Sequence, residues 1–148
     1  MEKYELRPVG WVRHPGGQAI IEIDPQYAPA LEGLAGFSHV WVIYWFHEHD
    51  DPQSRQLLKV HPRNNPANPL TGVFGTRSPR RPNLIGLSAV RILTIDNNLI
   101  RVDKLDAREG TPVVDLKPYL PGIDLHPEAT TPAWVNRAGS GPRETPAH

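Results

Sequence analysis

The sequence predicts an all-β, mainly antiparallel domain, closed or nearly closed into a single barrel with short helical and loop insertions. Three observations lead there. Seventeen prolines and twelve glycines in 148 residues cut the chain into pieces too short for a helical bundle. Roughly eight short apolar runs alternate with turn signals, the pattern of many short strands. So many strands would leave a long row of unpaired backbone groups unless the sheet closes on itself.

The elements follow in order. Residues 4–13 and 19–23 read as two strands, joined by the turn chemistry of His14-Pro15-Gly16-Gly17, and Asp24-Pro25 ends the second. In residues 27–37 Leu31 and Leu34 stand three apart, which fits one helical turn lying as a lid over a sheet edge. Ser38 to Phe46 is the most apolar run and should be a central strand covered on both sides. A short strand at 57–61 precedes Pro62-Arg63-Asn64-Asn65-Pro66-Ala67-Asn68-Pro69, which can only be loop. Strands are expected at 71–76, 87–95 and 99–105, the last two joined by a tight hairpin through Asp96-Asn97-Asn98. Residues 113–119 form the final strand. One domain over 1–136 is expected, with 137–148 a disordered tail and Trp134 docked on the body.

Composition narrows the chemistry. Without cysteine there is no disulfide framework and no thiolate or Cys-based zinc site. Sixteen lysines and arginines balance sixteen aspartates and glutamates, so no global field draws the chain to nucleic acid or membrane. An anionic partner must be held by a local cluster. Residues 1–13 resemble neither a signal-peptide core nor a span of about 20 apolar residues, and the expected location is the cytoplasm.

His47-x-His49-x-Asp51 has the spacing that opens a zinc signature, and in a strand the two histidines would face one way. Pro52 follows where such sites need another histidine, so these side chains are read as hydrogen-bonding groups at a strand end, with no metal. Ser38, Ser78 and Ser88 lack a nucleophile-elbow context, and no lysine follows the glycines as a phosphate loop requires. More informative are Arg77, Arg80 and Arg81, because no carboxylate lies between Asp51 and Asp96. Their partner is distant in sequence or is a ligand carboxylate or phosphate, the prolines around them stiffening the setting. The alternative is a solvated loop. Asp106, Asp115, Lys117 and Tyr119 form a second polar group, in which Asp115 and Lys117 share a strand face; a surface salt-bridge ladder is the competing reading.

Phe37-Ser38-His39-Val40-Trp41, Gly72-Val73-Phe74-Gly75-Thr76-Arg77-Ser78, Arg81-Pro82-Asn83-Leu84-Ile85-Gly86-Leu87-Ser88 and the run from Leu105 to Tyr119 resemble, in order, motifs of the TsaA/TrmO family. The likeness extends from about residue 6 to residue 121. It implies a β-barrel methyltransferase that uses S-adenosyl-L-methionine, works as a homodimer, and methylates N6 of threonylcarbamoyladenosine at position 37, beside the tRNA anticodon. Carried over by position, it sets His47, Glu48, Arg77, Leu87, Lys104, Leu105 and Asp106 against the cofactor. Arg80, Arg81, Asn83, Lys117 and Tyr119 are then left to meet RNA or orient the target base, and Asp115 or Asp106 to accept a proton. The sequence departs from the family in three places: the segment between the first two strands is cut to Pro15-Gly16-Gly17-Gln18, Leu84 replaces a proline, and a Pro/Thr-rich tail stands where longer bacterial enzymes continue. Two further readings are a non-catalytic module that binds S-adenosyl-L-methionine or a nucleotide, and a methyltransferase for another small substrate. A metal-dependent hydrolase would rest on His47, His49 and Asp51 alone.

Overall fold

The computed structural model describes residues 1–136, so the expected disordered tail lies outside the described residues. Eight strands are present: β1 Gly10–Arg13, β2 Ala19–Ile23, β3 His39–Trp45, β4 Lys59–Val60, β5 Thr71–Gly72, β6 Ile85–Asp96, β7 Leu99–Val102 and β8 Pro112–Pro118. Two short helices, α1 Pro52–Gln56 and α2 Pro121–Asp124, and several 3-10 turns complete the chain. Six strands pair antiparallel in the order β1-β2-β7-β6-β3-β8, and β8 pairs with β1 to close the ring. Strands β4 and β5 form a separate two-stranded ribbon outside it.

The alternation of side chains along a strand explains the core. Val40, Val42 and Tyr44 point inward from β3 and are fully buried, as are Val12, Ile21, Ile100 and Val113 from neighbouring strands. Leu84, where the family has proline, is also fully buried and accepts the Phe46 N–H through its carbonyl at 2.8 Å. Two bulges adjust the register. Between Ile43 and Tyr44 the β8 partner jumps from Asp115 to Val113, leaving Val114 as the extra residue. Val113 therefore faces inward while Asp115 faces out, although regular alternation would put them together. A second shift, between Ile92 and Thr94 against β7, lets both Ile92 and Ile95 pack on the core.

Several expectations need correction. Only Gly10–Arg13 of residues 4–13 forms a strand; residues 4–8 lie exposed, and Val9, half-buried, joins the ladder by single bonds to Val113 and Asp24. Strand β3 is covered fully on its inner face only; Trp41, Ile43 and Trp45 on the outer face are half-buried. The strands expected at 57–61 and 71–76 shrink to the two-residue β4 and β5, and Val73–Gly75 turns into a 3-10 turn. The strand expected over 99–105 stops at Val102. Residues 27–37 supply two 3-10 turns, Pro25–Leu31 and Leu34–Gly36, which pack Tyr27, Leu31 and Leu34 against the core. The hairpins follow the sequence: Gly16 and Gly17 take φ of 56° and 81°, the left-handed region that glycine enters without strain.

One contact in the core sets the spacing of β3 and β6. Tyr44 stands in register with Gly86, and its ring meets Phe46 edge-on at 5.6 Å. A Cβ on residue 86 would lie 2.8 Å from Phe46 Cζ and nearer still to Tyr44 Cε2. The Tyr44 hydroxyl and Ser88 Oγ are 3.0 Å apart. Burial pushes the phenol up to about 12, against the opposing pull of the Ser88 bond.

Two outcomes follow from that contact. Gly86→Ala should cost about 1–3 kcal/mol of stability through overpacking, read as a lower denaturation midpoint with an unchanged m value. Because the folded protein holds the Tyr44 proton more tightly than the unfolded chain, this stabilisation is complete below pH 10 and is lost as pH rises through 12. The stability advantage of wild type over Tyr44→Phe should shrink by about 2–3 kcal/mol across that interval in denaturant titrations.

Candidate functional site

The antiparallel order brings the ends of β1, β3 and β7 and the starts of β2, β6 and β8 to one end of the barrel, here termed the mouth. Three connections meet there: the turn at 14–18, the long excursion 46–84, and the loop 103–111. Polar contacts lock them together. The His14 ring shares a 2.6 Å hydrogen bond with the Ala107 carbonyl, and its backbone N–H donates to Glu109 Oε1 at 2.8 Å. That backbone donor, followed by the Arg13 side chain, holds the Glu109 carboxyl below the usual carboxylate range. The shortened hairpin is thus fastened to the loop that carries Asp106. Across the mouth, Glu48 pairs with Arg108 at 3.0 Å.

The excursion is fixed at both ends. Arg55 donates to the Pro82 carbonyl at 3.0 Å, pairs with Asp50 at 3.3 Å, and lies 5.5 Å from the Trp45 ring. Asp51 caps α1 by accepting from Ser54, which lowers its own pKa. Farther along, Arg81 donates to the carbonyls of Thr76 and Ser78, each at 3.1 Å, and buried Ser78 accepts from the Arg80 N–H at 3.2 Å. Arg81 therefore braces its own loop instead of facing outward as expected. Arg77 and Arg80 are exposed, with no carboxylate within 4 Å among the described residues.

The structure gathers His47, Glu48, Arg77, Lys104, Leu105 and Asp106 around the mouth. Arg77 and Asp106 both act electrostatically on the buried Tyr44 phenol, Asp106 raising its pKa and Arg77 lowering it. Opposite charges thus both reach the Tyr44 phenol, which is paired with half-buried Ser88. Leu105 is buried, and Asp106 is exposed. Asn83 is exposed in the turn that leads into β6.

Other expected residues fall elsewhere. Leu87 lies in register with Ile43 on the barrel exterior, and Asp115 flanks Ile43 from the other side. Asp115 accepts from the Leu116 N–H at 2.8 Å and sits 3.9 Å from Lys117 Nζ, so this pair forms the surface ladder and is not at the mouth with Asp106. Tyr119 lies towards the opposite end, its ring 6.1 Å from His39 and 5.6 Å from Trp41. The Trp41 indole in turn donates to Asp124 at 2.9 Å. A mainly apolar hollow of about 360 Å³ also lies away from the mouth, between the 3-10 turns and β8, with Tyr27, Leu31, Leu34, Phe37 and Leu116 in its walls.

His47 and His49 share one 3-10 turn, so the strand geometry that would align them as ligands is absent. Among the described residues no group of three or more His, Cys, Asp and Glu side chains could hold a metal. Sequence reasoning missed Tyr44, Ser88, His14, Arg108 and Glu109. The unbroken apolar run of β3 carried no alternation to mark Tyr44 as inward-facing. No signal existed for His14, whose partner Ala107 is 93 residues away.

Comparison with known proteins places this geometry. The model of the tRNA-methyltransferase O N-terminal domain matches residues 8–125. A Pyrococcus horikoshii protein named as a probable S-adenosyl-L-methionine-binding protein is 46% identical over 116 residues, covering 78% of this chain and 82% of that protein. The tRNA (adenine(37)-N6)-methyltransferase of Escherichia coli is 37% identical over 134 residues, covering 87% of this chain and 56% of that enzyme. The crystal structure of TrmO from Pseudomonas aeruginosa aligns with a TM-score of 0.69 at 28% identity, over 89% of this chain and 63% of that one. The chain thus spans less than two thirds of the E. coli enzyme and of the solved structure. The barrel strands and the three connections at the mouth all fall within the matched stretch, and the chain belongs to the family of the tRNA-methyltransferase O N-terminal domain.

Proposed function

We propose that the mouth binds S-adenosyl-L-methionine and that the chain methylates N6 of the adenosine at position 37 of a tRNA, with threonylcarbamoyladenosine as the form accepted. The observation that carries this reading is that Arg77 and Asp106, from two different connections at the mouth, both lie near enough to the buried Tyr44 phenol to act on it electrostatically. Their chemistry fits the cofactor. Arg77, with no carboxylate within 4 Å among the described residues, suits a ligand carboxylate. Asp106 suits ribose hydroxyls or an ammonium group. His47, Glu48 and Lys104 complete the rim. Leu87, being outside, would contribute only through a ligand that extends onto the barrel exterior.

When bound, S-adenosyl-L-methionine supplies an electrophilic methyl on a sulfonium. The chain's task is then positioning, which can account for much of the rate in such a displacement. N6 must lose a proton as its new bond to carbon forms, and Asp106 is the proposed acceptor because it shares the mouth with Arg77. Arg80 and Asn83 border the same opening and would meet the substrate. Arg81 would serve by holding their loop. A homodimer is proposed through the barrel exterior, where Ile85 and Leu87 are 41% and 39% exposed beside Ile43. No helix among the described residues is long and apolar enough to cross a membrane; a tRNA substrate would place the protein in the cytoplasm. The second reading, a cofactor-binding module without catalysis, matches the P. horikoshii relative, which is described as binding S-adenosyl-L-methionine and not as a methyltransferase.

Arg77→Ala should weaken S-adenosyl-L-methionine binding about tenfold to a hundredfold, as loss of a charge-assisted hydrogen bond does, with unchanged circular dichroism. Calorimetry showing equal affinity would remove Arg77 from the site. Mass spectrometry of tRNA nucleosides from a deletion strain should show loss of the N6-methylated form; its persistence would favour the binding module.

A further inference from the structure

The excursion between β3 and β6 carries more charge than the mouth uses. It contains Arg55, Lys59, Arg63, Arg77, Arg80 and Arg81, and no carboxylate interrupts the chain from residue 52 to residue 95. Arg55 and Arg81 are committed to the fold by the bonds described above. Lys59, Arg63 and Arg80 have no carboxylate within 4 Å among the described residues. In a chain of zero formal net charge this is a local positive field standing on an arm outside the barrel.

The arm is built to hold its shape. Lys59 and Val60 pair with Gly72 and Thr71, and Val73, 3% exposed, donates its N–H to the Leu58 carbonyl at 2.9 Å. Asn68, 1% exposed, donates to the Pro62 carbonyl at 2.9 Å, and the His61 ring bonds the Asn68 carbonyl at 2.8 Å. This pinned loop keeps Arg63 and Asn64 at φ of 59° and 53°, a left-handed conformation that is costly for arginine and persists where the surroundings impose it. Beside the ribbon, Phe74 is 85% exposed, with Leu58 and Leu70 at 63% and 58%. An exposed aromatic ring on a hydrogen-bonded turn, in an arm whose cations have no carboxylate within 4 Å, is a combination that binds unpaired nucleotides, with the ring stacking a base and the cations tracking phosphates.

We infer that the arm formed by residues 57–80 is an RNA-binding surface in which Lys59, Arg63 and Arg80 hold backbone phosphates and Phe74 stacks an unpaired base. This rests on the proposed action on RNA and adds a surface to it: the arm carries Arg77, which acts electrostatically on Tyr44 in the barrel, so RNA lying along the arm leads to the mouth. A second copy of the chain fits the surface less well, because a two-fold interface would bring the same positive patches together.

The test uses the full chain and a synthetic anticodon-arm hairpin with an adenosine on the 3′ side of the anticodon. Affinity is measured across a salt series for wild type, for Lys59→Ala with Arg63→Asn, and for Phe74→Ala. Asparagine is chosen because it tolerates positive φ. The double variant should lower the slope of log affinity against log salt by about 1.5, and Phe74→Ala should weaken binding roughly tenfold at every salt concentration. Both should bind S-adenosyl-L-methionine as wild type does. Wild-type affinity and slope in the two variants would overturn the arm's role while leaving the proposed activity in place. Failure of wild type to bind the hairpin would overturn both. Conversion of a dimer to a monomer by Phe74→Ala in sedimentation, with hairpin affinity unchanged, would assign the surface to a second copy and overturn the RNA reading.

Discussion

Pairing of β8 on both its edges is the constraint on which the rest of the structure depends. Against β3 it runs from Val40↔Pro118 to Tyr44↔Val113, and against β1 it contributes Val113 and Pro112. The β8 ladder against β3 is interrupted once, between Ile43 and Tyr44, where Val114 is the extra residue. That one residue turns Val113 into the core and leaves Asp115 and Lys117 on the outer face. Closure also forces three connections to meet at one end, so charges from distant parts of the chain become neighbours.

The mouth then assembles through contacts between those connections. His14 and Glu109 tie the first turn to the third connection, and Glu48 and Arg108 tie the second to the third. The Glu48–Arg108 ion pair is exposed, and such a pair contributes little stability on its own. The effect of these contacts is positional: they fasten the loop that carries Asp106 to the other two connections. Beneath them the Tyr44 phenol stays neutral because burial disfavours its anion. The floor of the mouth is therefore an uncharged hydroxyl pair, and the ionised groups are kept to the rim, where solvent and ligand can reach them.

The excursion between β3 and β6 shows how a chain without net charge can still present a charged surface. Its acidic residues, Glu48, Asp50 and Asp51, all stand at its start, and its cations divide into two classes. Arg55 and Arg81 hold backbone carbonyls and build the arm. Lys59, Arg63, Arg77 and Arg80 have no carboxylate within 4 Å among the described residues. Arginine suits the first role because its planar fork can serve two acceptors at once, as Arg81 serves Thr76 and Ser78.

The sequence by itself determined the fold class, because proline and glycine fix where strands must end, although the unbroken apolar run of β3 carried no alternation to mark its inner face. It placed β2 and the Asn97-Asn98 hairpin with accuracy, since local turn chemistry decides both. From its motifs it also named the residues that cluster at the mouth, with Arg77 and Asp106 chief among them. Only the tertiary structure decided which way side chains face after a bulge, as at Asp115, and which arginine braces a loop and which faces solvent, as with Arg81 and Arg80. It alone revealed Tyr44–Ser88, His14–Ala107 and Glu48–Arg108. Each of these joins residues far apart in sequence whose meeting depends on strand register and barrel closure, and neither is encoded in any local window of the chain.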